Sequence, residues 1–113
     1  YPLNVEHLTM STMKIWDLHL AYDGPVTAEF LAGTKELAES IAQEPGVVWK
    51  IWTVEEGTNH FGSTYLFRDR ASLETYKAMH LKRLEAIGVA VTSDHVFDIM
   101  EDLSAINNAP IHG

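Results

Sequence analysis

The chain contains no cysteine, which excludes disulfides, iron–sulfur clusters, thiolate metal sites and a cysteine nucleophile. Basic residues are scarce: 8 Lys and Arg stand against 16 Asp and Glu, a formal net charge of −8 over 113 residues. Neither the ends nor the middle carry a Lys/Arg cluster, so no nucleic-acid partner and no anionic membrane surface is expected. No apolar run approaches bilayer length and no stretch reads as a signal peptide, so the expectation is a soluble, cytoplasmic protein. The glycine-rich nucleotide loops, the G-x-S-x-G elbow and the H-E-x-x-H zinc motif are missing as well. The six His residues do not fall at metal-ligand spacings. His95 and Asp98, three apart on a strand, point to opposite faces. No metal site is expected.

What remains is an ordinary globular composition, 46% apolar and 21% charged, with three Trp, four Tyr and four Phe to fill a core or a pocket. Such a length makes one domain. Residues 1–13 show neither period nor turn logic and read as an N-terminal leader, leaving 14–113 as the domain. From Lys14 the pattern sharpens. Trp16, Leu18, Leu20 and Tyr22 alternate with Asp17, His19 and Ala21, the period of a strand. Asp23-Gly24-Pro25 breaks it. Thr27 can then cap a helix reaching about Gln43, with Phe30, Thr34, Leu37 and Ile41 as its apolar stripe. Glu44-Pro45-Gly46 ends that helix, and Val47–Val54 reads as a second strand, rich in β-branched and aromatic residues.

Gly57 marks a hairpin loop, in which Asn59 and His60 are expected to be solvated. Phe61, Ser63, Tyr65 and Phe67 share one face of a third strand. Asp69 or Ser72 can cap a second helix whose stripe is Leu73, Tyr76, His80, Leu84 and Ile87, with Gly88 closing it. Val89–Ile99 reads as the last strand, and Asp102–Asn107 as a short terminal turn. The order β-α-β-β-α-β predicts an α+β fold of the ferredoxin-like type, a four-stranded antiparallel sheet with two helices on one face. Trp16, Leu18, Leu20, Val48 and Trp52 look like too much apolar material for one sheet face. A homodimer packed sheet to sheet is the predicted cover.

Several residues stand out chemically. His80 lies within an apolar stripe and should face the sheet. It is either a neutral buried histidine bonded to a backbone carbonyl, or a pocket base or cofactor ligand. Trp49 and Trp52 fall on opposite faces of one strand. Lys50 shares the parity of Trp52 and serves either as an edge guard against aggregation or as a ligand contact. Asp17 and His19 share a face and can pair with each other or across a dimer; His19 is also a candidate substrate contact. Tyr65 offers a phenol at a strand centre.

The run Leu18-His19, Asp23-Gly24-Pro25, Leu37–Ile41, Gln43-Glu44-Pro45-Gly46, Trp49-Lys50 and Trp52-Thr53 resembles the YdhR-like family of monooxygenases. The likeness continues through Tyr65-Leu66-Phe67, His80, Arg83-Leu84, Gly88-Val89, Val96-Phe97-Asp98 and Leu103-Ser104, and covers nearly everything from Lys14 to Ile111. It implies a dimeric α/β barrel and an oxidoreductase that needs no metal or flavin. In such enzymes the deprotonated substrate itself gives electrons to O₂ inside a dry pocket. On that reading His80 is the base and Tyr65 a hydrogen-bond donor. Trp49, Trp52 and Phe67 are aromatic walls, and the partner is a small aromatic or phenolic molecule. Two other readings stay open: a haem-binding or haem-degrading barrel using His80 as axial ligand, and a non-catalytic binder or isomerase of the same superfamily.

Overall fold

The computed structural model describes residues 10–112. The elements run β1 (Met10–Ala21), α1 (Ala28–Ala42), β2 (Val47–Val54), β3 (His60–Phe67), α2 (Arg70–Ala86), β4 (Ala90–Met100) and a short α3 (Glu101–Ile106). Strand β1 starts at Met10, earlier than the expected Lys14, so Met10–Met13 belong to the sheet. The rest of the expected leader, residues 1–9, lies outside the described residues. Each long helix starts where its sequence supplies a cap. The Thr27 hydroxyl accepts from the Phe30 N–H at 3.1 Å and the Asp69 carboxylate from the Ser72 N–H at 2.7 Å, satisfying donors that have no partner within the helix. Gly88, at φ 77°, takes the left-handed turn that ends α2.

The sheet order is β2-β3-β1-β4, and all neighbours are antiparallel. This is the ferredoxin-like β-α-β-β-α-β arrangement that the element order predicts, with the central strand β1 paired on both sides. Trp16, Leu18, Tyr65 and Phe67 on the sheet meet Ile41 of α1 and Leu73, Tyr76 and Leu84 of α2 in the main core. Trp16 stacks on Tyr65 with ring centroids 5.0 Å apart. Its indole N–H donates to Asp94 at 2.6 Å, and Lys77 of α2 reaches the same carboxylate at 3.1 Å. The net is an aromatic layer pinned to both β4 and α2. Leu73 is fully buried in it, so Leu73→Ala is expected to destabilise the fold by about 2–5 kcal/mol in a denaturant titration. A loss under ~1 kcal/mol would mean that this layer is not close-packed.

The opposite face of the sheet departs from expectation. Trp16, Leu18 and Leu20 all point to the helices, and so does Trp52; of the apolar residues taken as evidence for a second face, Val48 alone packs there. That face instead gathers Ile15, Leu66, Trp49 and Ile99. The chain after α3 folds back across it, placing Ile111 in this second cluster, and the Trp49 indole N–H donates to the Pro110 carbonyl at 2.7 Å. The rest of the face is uncovered by the described residues, with Ile51 and Phe97 about half exposed.

Candidate active site

Between α1, α2 and the β2–β3–β1 side of the sheet lies a cavity of about 360 Å³. Its walls are apolar: Leu20 and Phe61 from the sheet, Phe30 and Leu37 from α1, Leu84 from α2, and Trp52 from β2. The stripe of α1 therefore does not close tightly on the strands. Only Ile41 at its C-terminal end is buried, and the helix stands off to leave this space.

Lys50 enters the cavity because of a β-bulge. The pairing of β2 with β3 runs Val47 opposite Phe67, then Trp49 opposite Leu66 and Lys50 opposite Tyr65, with the register shifted between Val47 and Trp49. One extra residue reverses the parity of everything after it. Trp49 is thereby turned to the far face and Lys50 and Trp52 inward. The Lys50 Nζ sits 3.4 Å from the Trp52 ring centroid and 4.6 Å from that of Tyr65. Among the described residues lining the cavity there is no Asp or Glu, and Lys50 forms no ion pair. Burial, with the Arg83 guanidinium nearby as a second cause, pulls the Lys50 ammonium down from its ordinary 10.5 to about 7.

His80 is 2% exposed and lines the same cavity, as its place in the α2 stripe requires. Its partner is not a backbone carbonyl. The Arg83 Nη2 lies 2.9 Å from His80 Nδ1 and 3.1 Å from the Tyr76 hydroxyl. A guanidinium has protons to give and no lone pair, so Nδ1 accepts. In the neutral ring the remaining proton is then on Nε2. Burial, followed by the positive charges of Lys50 and Arg83, lowers His80 from 6.5 to about 3. His80 is set up as a hydrogen-bond donor, and the base role expected for it has no free lone pair to use. Tyr76 stacks on the imidazole at 5.2 Å and 23°, fixing its plane. Tyr65, expected to be a donor in the site, does not line the cavity; its hydroxyl, fully buried, has no hydrogen-bond partner among the described residues. Burial, then the neighbouring Tyr76, raises its pKa, so it stays a protonated phenol.

The other expected site residues lie elsewhere. Phe67 belongs to the core beneath Tyr65 (5.5 Å, 25°) and does not line the cavity, and Trp49 is behind the sheet. His19 faces the open side, with its Nε2 3.1 Å from an Asp17 oxygen and its Nδ1 2.8 Å from His60 Nε2. His60 is the first residue of β3 and pairs with His19, where a solvated loop position was expected. Gly62 makes room for this pair: a Cβ there would meet Thr53 Oγ1 at 2.7 Å and His19 Nδ1 at 3.2 Å. Two residues named in the sequence only for a stripe and for the family likeness, Tyr76 and Arg83, belong to the site. Arg83 follows His80 by three and Tyr76 precedes it by four, spacings that put all three on one face of a helix.

The ferredoxin-like sheet and its two long helices thus frame a largely apolar cavity with Lys50 and the buried His80 in its wall. Residues 15–110 match the family described as "Putative mono-oxygenase ydhR", and the chain belongs to that family. It is accordingly an oxidoreductase of the monooxygenase kind. No curated protein matches the chain. Among solved structures it is similar to MupZ from Pseudomonas fluorescens, at 14% identity and TM-score 0.65, covering 88% of this chain and 78% of that one. It is also similar to SnoaB from Streptomyces nogalater, a cofactor-independent oxygenase, at 17% identity and TM-score 0.56, covering 79% and 92%. A protein from Deinococcus radiodurans described as a putative antibiotic biosynthesis monooxygenase aligns at 17% identity and TM-score 0.50, covering 76% and 89%. These structural likenesses concern the fold. None of the helices among the described residues is long and apolar enough to cross a membrane.

Proposed function

We infer that the protein is a cofactor-independent monooxygenase that oxidises a small phenolic aromatic compound with O₂ in the Lys50–His80 cavity. The observation that carries this reading is the cavity wall itself, largely apolar, with an amine that has no carboxylate beside it among the described residues and a histidine held as a donor. The family assignment and the likeness in fold to a cofactor-independent oxygenase support it. Lys50, as the neutral amine, takes the proton of the phenol. The resulting ammonium stays beside the phenolate as its counter-charge, in a site where water does not screen the pair. His80 Nε2–H donates to oxygen that gains negative charge during the reaction. The substrate anion passes electrons to O₂; one oxygen atom is incorporated to give a quinone and the other leaves as water. Trp52, Phe30 and Phe61 supply the apolar surface against which the aromatic skeleton packs.

The test is oxygen consumption with a panel of hydroxylated polycyclic aromatics, using protein free of added metal or flavin. Turnover with one quinone and one water formed per O₂ is expected, and the absence of turnover with every member overturns the reading. The haem alternative needs a lone pair on His80 Nε2, which the Arg83 contact to Nδ1 leaves protonated, so no Soret band is expected on haem titration. The same reading includes a homodimer built across the open sheet face, where Ile51 and Phe97 remain uncovered. Light scattering at micromolar concentration is expected to return the mass of two chains, through an interface of well over ~1,000 Å² in total. A monomer mass removes that element.

A further inference from the structure

Among the described lysines, Lys50 is in a class of its own. Lys14 is paired with Asp98 at 2.9 Å and Lys77 with Asp94 at 3.1 Å, while Lys35 and Lys82 are exposed to water. Lys50 has no carboxylate partner among the described residues and is only partly exposed. Its Nζ lies between the ring faces of Trp52 and Tyr65 at the wall of an apolar cavity. One proton donor lines the same cavity, the ring N–H of His80. An amine that sheds its proton this readily is a nucleophile at neutral pH, as its pKa of about 7 supports. The amine supplies the nucleophile and the imidazole N–H a hydrogen bond to the oxygen as an amine adds to a carbonyl group.

We propose that Lys50 is a covalent binding site for aromatic aldehydes and ketones, which it captures in the cavity as a reversible imine. The lysine nitrogen attacks the carbonyl carbon, forming the N–C bond as the C=O π bond breaks. The proton given up by the nitrogen passes to the oxygen, which the His80 Nε2–H holds by a hydrogen bond. The carbinolamine then loses water to leave C=N, so one amine and one carbonyl compound become one imine and one water, with no oxidant or reductant. Apolar walls favour the ring of the ligand and expel the water released. This activity needs the cavity and the amine but no O₂ chemistry.

The experiment incubates the whole protein with 2-naphthaldehyde at neutral pH, reduces with borohydride and maps the modified lysines by peptide mass spectrometry. A captured imine appears as a secondary amine, heavier by the aldehyde less one oxygen atom. The expected result is labelling of Lys50 at least about tenfold faster than of Lys35 or Lys82, since far more of its amine is unprotonated. Excess 2-naphthol, which fills the cavity but cannot form an imine, is expected to slow labelling of Lys50 alone. Labelling of Lys50 no faster than of the exposed lysines overturns the proposal, as does Lys50 labelling that 2-naphthol leaves unchanged. Oxygen uptake by the unlabelled protein is read separately, so failure here and failure of the oxygenase reading are told apart.

Discussion

The melting temperature of this protein is expected to rise from neutral pH to about pH 9–10 and then fall, a maximum well to the alkaline side of most domains. The reason is a buried amine. Lys50 binds its proton with a pKa of about 7 in the fold against about 10.5 in the unfolded chain. Between those values the unfolded chain holds more protons, so stability rises with pH across that window and is lost as pH falls through it. His80 acts with the same sign lower down, between its folded value of about 3 and about 6.5 unfolded. Tyr65 has the opposite sign. Its raised pKa keeps a proton in the fold that the unfolded chain loses above about pH 10, so stability falls there. The Lys50 window amounts to on the order of 4 kcal/mol, reduced by the attraction of the ammonium to the Trp52 face. In a domain of this size that is roughly 10 °C or more in Tm. Lys50→Met is expected to be more stable than wild type at neutral pH and nearly flat from there to about pH 9. A wild-type melting curve that is level or falling over that range would falsify the buried-amine description.

In turnover, Lys50→Met is expected to lower kcat by about 10²–10⁴-fold with an acceptable phenolic substrate. It should also abolish the acidic limb of the kcat/KM profile, which in the wild type falls below a pH of about 7, the pKa of Lys50. His80→Ala removes a donor and is expected to reduce kcat by up to about 10²–10³-fold. It should leave that limb in place, shifted upward because one cause of the burial around Lys50 has gone. Tyr65→Phe should cost less than either. The two profiles separate the roles: a limb that survives in Lys50→Met and vanishes in His80→Ala makes His80 the base after all. Arg83→Met gives a further readout, since releasing His80 Nδ1 lets the ring ionise at higher pH.

The sequence announces the fold through short-range signals. Alternation in β1, the caps Thr27 and Asp69, the stop at Glu44-Pro45-Gly46 and the closing Gly88 are all local, and each element forms close to where they place it. His80 is legible for the same reason, since a helical stripe states its own facing direction. The bulge before Trp49 is not legible. It depends on how β2 meets β3, and by inserting one residue it decides which indole looks into the cavity. Sequence parity could say only that Trp49 and Trp52 differ. The role of His80 was hidden likewise, because a histidine becomes donor or base according to what touches its other nitrogen. Here that is Arg83, a residue remarkable in the sequence only for its spacing. The open sheet face is misread because Trp16, Leu18, Leu20 and Trp52 count as a surplus for one face, whereas the helix-covered face takes all four. The residues that do face outward, Ile15, Ile51 and Phe97, sit among Asp17, His19 and Thr64, and their apolar signal is diluted.

The place of β1 at the middle of the sheet governs the order of assembly. Its two partners are β3 and β4, so the strand that comes first in the chain completes its pairing only when the last of the four has been synthesised. All the contacts that fix it are distant in sequence, and closing such long loops is slow. During translation β1 therefore waits as an apolar ribbon with Trp16, Leu18 and Leu20 unsheltered, open to pairing with a neighbouring nascent chain. The hairpin of β2 and β3 can form in the meantime and receive it along one edge. Until β4 arrives, the other edge of β1 is the point at which this protein is most vulnerable to aggregation and most in need of a chaperone.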